Sequence, residues 1–136
     1  MQTFLPYADF RASARCLDTK RLNKQIVECQ QLIRAVARKR LGIKAGWQHH
    51  PAARMWERYP LALQRYHNAC VRAWWDRGYA SHRVLVLPLP ECGDPEWLGD
   101  ERLHVSHQAN LIRKLPSHYA PLFPGVDPSM PYFWPT

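Results

Sequence analysis

The residues best suited to chemistry in this 136-residue chain are a lone glutamate and the cations spaced around it. At 100° per residue on a helix, Arg21, Lys24, Glu28, Gln31 and Ala35 fall together on the side opposite Ile26. A carboxylate in that setting has two readings. One is a solvated helix face on which Lys24 and Glu28 form an i,i+4 pair. With lysine preceding glutamate, that pair contributes at most a few tenths of a kcal/mol. The other is a basic groove built for a phosphodiester. There a carboxylate opposes the polyanion, so its presence points to chemistry. It could stabilise an oxocarbenium-like sugar or serve as general acid/base at a glycosidic bond.

The charge favours an acidic polymer as partner. Nineteen Lys and Arg oppose 11 Asp and Glu, giving a formal net charge of +8, and phosphate backbones are the commonest match for such a domain. Arg34, Arg38, Lys39, Arg40 and Lys44 at the end of one helix, and Arg113 and Lys114 late in another, extend the groove as a set. Taken singly, each reads as a surface charge. Trp47, Trp56, Tyr59, Tyr66, Trp74 and Trp75 offer stacking platforms for an extruded base. Helical spacing assigns Trp56, Tyr66 and Trp74 to the core. Trp47, in a Gly-Trp-Gln-His-His loop, is left as the exposed candidate.

Metal and thiol chemistry find little support. Cys16, Cys29, Cys70 and Cys92 are widely spaced with no CxxC pair, so four free thiols are expected. His104 and His107 could share one helical face, as a metal pair requires. No carboxylate or cysteine close by completes a ligand set, and His49-His50 adds none. No metal or other cofactor is expected.

The elements that must position these groups are helical. Asp9 to Cys16 reads as a short helix and Asp18 to Arg40 as a long one, with Asp18 or Thr19 at its cap and Gly42 just beyond its end. Leu22, Ile26, Cys29, Ile33 and Val36 form its apolar stripe. A second helical region starts near Pro51 and is broken by Pro60 into a short helix and a long one ending near Asp76, with Leu63, Tyr66, Cys70 and Trp74 buried. Residues 84–99 read as a short apolar run followed by a Pro/Gly loop. A third main helix spans Asp100 to Leu115, closed by Pro116. The tail from Ser117 is too Pro-broken for helix and too apolar to be free, so it should wrap the body. The expectation is an all-α, compact single domain over residues 1–136, with three main helices, an irregular N-terminal arm and a Pro/aromatic-rich C-terminal tail. No apolar run approaches the roughly 18 residues of a membrane span, and the N-terminus lacks a signal-peptide pattern. A cytoplasmic, nucleoid-associated protein without membrane contact is expected.

Several segments together have a more specific meaning. MQTFLPY, SARCLDTKRLNKQIVE, GWQHHPAARMW, WLGDERLHVSHQANLIRK and the closing PYFWP resemble bacterial and phage proteins of the pyrimidine-dimer DNA glycosylase (endonuclease V) family, over nearly the whole chain. The wider kinship rests on the helix carrying Gln25-x-x-Glu28, on His50 to Arg77-Gly78-Tyr79, and on Ala109 to Lys114. The resemblance implies an all-α domain with its N-terminal segment inserted among the helices, and a metal-free DNA glycosylase with AP-lyase activity. An N-terminal α-amine attacks C1′ of the damaged nucleotide, and the resulting Schiff base β-eliminates. Glu28 occupies the position of the assisting glutamate. Lys114 falls at a phosphate-contacting position, and Asn110 stands where an arginine is usual. The bulk of Gln2 should hinder removal of the initiator, which puts the free amine on Met1. The smaller branch also carries an arginine where this chain has Ile26, a change expected to alter the charge of the groove.

Physical chemistry suits an α-amine to nucleophilic attack. With a pKa of about 8, about a fifth to a quarter of it is neutral at pH 7.5, against about 0.1% for a lysine near 10.4. The reading is thus a DNA glycosylase/AP lyase excising a damaged or modified pyrimidine from double-stranded DNA. Met1 is the nucleophile, Lys24 its substitute, and Glu28 the helper. Arg21, Lys24, Arg113 and Lys114 hold phosphates, with Asn110 beside them. Gln25 and His50 orient groups near the sugar, and Trp47 stacks. A monomer without an obligate protein partner is expected. The alternatives are a catalytically inert DNA-binding protein on the same scaffold, and a helical adaptor that binds protein through its aromatic tail.

Overall fold

The structure, a computed structural model, describes residues 1–79, 85 and 93–135. Among the described residues six helices follow in order: α1 (Phe10–Cys16), α2 (Thr19–Arg40), α3 (Pro51–Trp56), α4 (Pro60–Asp76), α5 (Glu101–Lys114) and α6 (Pro116–Tyr119). No strand occurs among the described residues. The fold is all-α, with α2, α4 and α5 as the three main helices. Of the stretch read as an apolar run and loop, Val84, Val86, Leu87, Pro88, Pro90 and Cys92 lie outside the described residues.

Local chemistry sets the helix ends. Asp9 caps α1 by accepting from the Arg11 and Ala12 amides, and Asp100 caps α5 by accepting from Arg102. Pro51 and Pro60 open α3 and α4, where the missing N–H costs nothing. Asp18 stands at the α2 N-cap without capping by its side chain. Its carboxylate instead takes Arg21 Nη1 at 3.2 Å and the Tyr119 hydroxyl, which ties the start of α2 to α6. Against expectation, Pro116 starts a helical turn rather than only closing one. Leu115, at φ −151°, breaks from α5 and lets the proline serve as the first residue of α6.

The core lies between α2 and α4, which pack along each other, with α1 against α4. Leu22, Ile26, Cys29, Leu32 and Val36 are buried from α2, and Leu63, Tyr66 and Cys70 from α4. Ile26 is fully buried, so a cation at that position would sit in the core and not in a surface groove. Trp56 and Tyr66 are core residues as expected; Trp74 is only partly buried. The buried side of α2 is wider than a single stripe, because Gln25, Glu28 and Ala35 are also covered.

The cover over that second flank is the N-terminal arm. Gln2 to Leu5 are buried in extended form with no sheet partner, so each of their backbone groups would cost about 1–3 kcal/mol if left unpaired. Side chains of four helices hold the arm. Gln25 accepts from the Phe4 amide at 2.7 Å and donates to the Gln2 carbonyl at 2.9 Å. The Tyr66 hydroxyl donates to the Phe4 carbonyl. Trp56 Nε1 reaches the Thr3 hydroxyl at 2.9 Å, and Gln108 holds the Pro6 carbonyl at 2.7 Å.

His104 and His107 complete this holding of the arm. His104 Nδ1 donates to the Leu5 carbonyl at 2.7 Å and its Nε2 accepts from Gly99 at 2.9 Å. His107 Nδ1 accepts from the Leu5 amide at 2.9 Å. The i,i+3 pair therefore grips one residue's backbone from both sides with opposite tautomers. Burial, and secondarily His104, pushes the His107 pKa down to about 3.

Candidate functional site

A cleft of about 410 Å³ opens where the arm, α2, the end of α5 and the tail meet. Glu28 lies at its floor. The carboxylate is largely buried; Oε2 accepts from the Gln2 amide at 3.2 Å, and Oε1 lies 3.7 Å from Lys24 Nζ. The Lys24 side chain is 74% exposed against 12% for Glu28. The pair is therefore an exposed ammonium above a sheltered carboxylate, and the solvated-face reading does not describe Glu28.

Cations line the mouth. Lys20 and Arg21 stand one turn before Lys24 on α2, and Lys114 faces them from the end of α5. Arg21 is fixed by Asp18 and by the Lys114 carbonyl, at 3.3 Å from Nη2. Lys114 Nζ sits 5.9 Å over the Phe4 ring. Met1 and Gln2 line the cleft from the arm, and Tyr132 from the tail.

His50 lies close enough to feel the N-terminal ammonium and Glu28. Its Nδ1 accepts from the Ala52 amide at 3.0 Å, capping α3, which leaves Nε2 to carry the proton in the neutral ring. Its pKa is lowered, first by burial and then by the N-terminal ammonium, with Glu28 acting the other way. The amine, the carboxylate and this imidazole thus share one electrostatic neighbourhood. Trp47 and Trp134 contact the His50 ring edge-on, with centroids at 5.7 and 6.0 Å. Trp47 is 51% exposed and has φ 69°, a left-handed conformation costing a non-glycine residue about 1 kcal/mol or more.

Met1, Arg21, Lys24, Gln25, Glu28 and Lys114 thus come together at the cleft, with His50 and Trp47 beside it. Gln25 is almost fully buried and engaged with the arm. Asn110 and Arg113 belong elsewhere. The Asn110 amide donates to the Ser106 carbonyl at 2.8 Å and accepts from Arg113. Arg113 also binds the Pro128 carbonyl and, at 2.8 Å, that of Met130. It straps the tail to α5, aided by the Phe133 amide on Ser106 Oγ at 3.1 Å.

Sequence reasoning missed Lys20, Gln2 and Tyr132. Lys20 precedes Lys24 by one helical turn, a signal open to the same face argument. Gln2 adjoins the amine. Tyr132 had no local signal, since only the strapped path of the tail brings it in.

A larger cleft, of about 760 Å³, lies between α1 and α4. Its four arginines, Arg11, Arg15, Arg65 and Arg72, are mixed with Asp9, Asp76 and Asp94, so it presents no field of one sign. Among the described residues no cluster of His, Cys, Asp and Glu has the grouping of a metal site. None of their helices is long and apolar enough to cross a membrane.

Comparison with known proteins points to a family. A family model described as pyrimidine dimer DNA glycosylase matches residues 1–86. That stretch contains the arm and α1 to α4, and so Met1, Lys24, Glu28 and His50; Lys114 and Tyr132 lie beyond it. No curated protein and no solved structure matches the chain.

Proposed function

The chain belongs to the pyrimidine dimer DNA glycosylase family, and from that premise we propose that it excises a damaged or modified pyrimidine from duplex DNA and then cleaves the strand as an AP lyase. The observation that carries the reading is the Glu28 carboxylate, sheltered under a ring of cations and hydrogen-bonded to the amide of the residue next to the N-terminal amine.

With Met1 as the N-terminal residue, its neutral amine donates an electron pair to C1′. The C1′–N bond breaks, and the base leaves with that bonding pair and takes up a proton. The attached nitrogen gives one proton to Glu28, the acceptor within reach; its lone pair then breaks the C1′–O4′ bond, O4′ takes that proton, and the C1′ iminium forms with the second N–H retained. Loss of the 2′ proton then expels the 3′ phosphate by β-elimination. Glu28 also stabilises the positive charge that develops on the sugar. Lys20, Arg21, Lys24 and Lys114 hold the flanking phosphates, and Trp47 stacks on an extruded base. Lys24, one helical turn from Glu28, is the alternative nucleophile.

Borohydride trapping tests this reading on duplexes carrying an abasic site, a cyclobutane pyrimidine dimer or a modified pyrimidine, with intact protein mass recorded beside it. An adduct on the N-terminal peptide is the expected result. An adduct on Lys24 moves the nucleophile. Salt-sensitive binding with neither adduct nor base release overturns the reading in favour of an inert DNA binder.

A further inference from the structure

The loop after α2 is built as a rigid tip and is apolar where nothing packs. Gly42 N donates to Lys39 O at 3.1 Å and Ile43 N to Arg38 O at 2.8 Å, the paired bonds of a Schellman motif, with Gly42 at φ +73°. Gln48, itself buried, donates to the Ile43 carbonyl at 2.7 Å and pins the far side. In such a motif the apolar residue after the glycine ordinarily packs back on the helix. Here Ile43 is 52% exposed and Leu41 75%, and the helix residue that would receive Ile43 is Arg38. Two large apolar side chains thus stand in solvent on a fixed backbone, and Trp47 ends the same loop.

The approach to this tip is basic. Lys20, Lys24, Val27, Gln31, Arg34 and Arg38 follow one another at three- and four-residue steps along the exposed edge of α2, a line that runs from the cleft to Leu41. From Glu28 to Leu41 is about 20 Å at 1.5 Å per residue, or about six base pairs of duplex.

We propose that Leu41 and Ile43 form a wedge that enters the duplex about six base pairs from the reacting nucleotide, while the cations of α2 track the phosphates between. The inference rests on DNA being the substrate and adds a second contact that bends it. Rigidly presented aliphatic side chains flanked by cations are what partial unstacking of a base step requires, with the lost stacking offset by a longer wrapped backbone. The charge of the surroundings selects a polyanion over an apolar protein partner.

The test uses the full chain and 20-base-pair duplexes carrying a tetrahydrofuran abasic analogue, placed centrally or three base pairs from either end. The double variant L41S/I43S should bind the central duplex about tenfold more weakly than wild type, with an unchanged salt slope and an unchanged thermal midpoint. The loss should vanish on one off-centre duplex, whose short flank cannot reach the loop, and persist on the other. A 2-aminopurine six base pairs from the analogue should brighten with wild type and stay dark with the variant. Equal binding by wild type and variant on all three duplexes overturns the wedge and leaves the tip for a protein partner. A loss identical on all three overturns it as well. If wild type releases no base from any substrate but the flank-dependent loss remains, the catalytic reading fails and the wedge stands.

Discussion

Glu28 and Gln2 meet through one hydrogen bond, from the Gln2 amide to Glu28 Oε2 at 3.2 Å. The bond holds the arm one residue from its end, so it fixes where the N-terminal amine sits relative to the carboxylate. A glutamine at position 28 would keep the acceptor and lose the charge. Glu28→Gln should therefore leave the thermal midpoint within a degree or two while slowing base release by about 10²–10⁴-fold. DNA affinity should hold or rise, because an anion has left a cationic cleft. Single-turnover base release and gel shifts on one duplex check both halves; full activity would remove Glu28 from the reaction.

Gln25 bonds the arm at two points. Gln25→Leu leaves the Phe4 amide and the Gln2 carbonyl unpaired in a buried setting, at a cost of about 2–4 kcal/mol. Urea unfolding reads the loss directly. Trapping on abasic DNA should weaken more than DNA binding does, since the amine loses its position while the phosphate-binding cations stay.

His107 makes the fold acid-sensitive. In the folded chain its pKa is about 3, whereas an unfolded histidine takes a proton near 6.5. Between those values only the unfolded state binds the proton. Stability therefore falls as pH drops below about 6.5 and continues to fall toward 3, by up to about 1.4 kcal/mol per pH unit. His107→Asn, whose Oδ1 replaces the Nδ1 acceptor for the Leu5 amide, should remove most of that slope between pH 6.5 and 4.5, above the range where most carboxylates titrate. Chemical unfolding across that window is the measurement.

Arg113 and Lys114 are neighbours in sequence placed apart, Lys114 at the cleft and Arg113 on the tail. Lys114→Ala should lower the magnitude of the logarithmic salt slope of DNA binding by about 1 with little effect on stability. Arg113→Ala should leave that slope nearly unchanged and raise amide exchange over residues 128–134. A reversed pattern would return Arg113 to the phosphate-contacting set.

Trp47 holds a left-handed backbone beside the cleft. Trp47→Gly relieves that strain, so unfolding free energy should stay within about 1 kcal/mol of wild type. Affinity for a duplex with an extruded base should fall about 10- to 100-fold, the range of one lost stacking contact. Fluorescence titration with a duplex carrying an unpaired pyrimidine tests it.

The main helices were legible because periodicity and caps are local: Pro51, Pro60, Asp9 and Asp100 mark their ends wherever the helices pack. Glu28, Arg21 and Lys24 were legible for the same reason, as neighbours on one helix face. The burial of Glu28 and Gln25 was not, since it comes from the arm laid over α2, a contact across 26 and 21 residues respectively. The His104/His107 pair shows the same limit. Its i,i+3 spacing suits a metal as well as a peptide, and only the path of Leu5 between the rings decides. The tail contacts of Arg113 were not legible either, because a guanidinium near a helix end says nothing of a tail returning 15 residues later.

The gripping of Leu5 by His104 and His107 also fixes an order of events in synthesis. Residues 2–5 leave the ribosome well before the imidazoles that hold Leu5, which follow 99 and 102 residues later. At about 5–20 residues per second, the arm waits several seconds for its seat. A nascent chain lacking α5 therefore has Glu28 and Gln25 to hold Gln2 and Phe4 but nothing on the Leu5 backbone. The arm gains its full set of holds only when the C-terminal third has folded, so on the proposed reading a truncated translation product places its amine less firmly than the whole chain does.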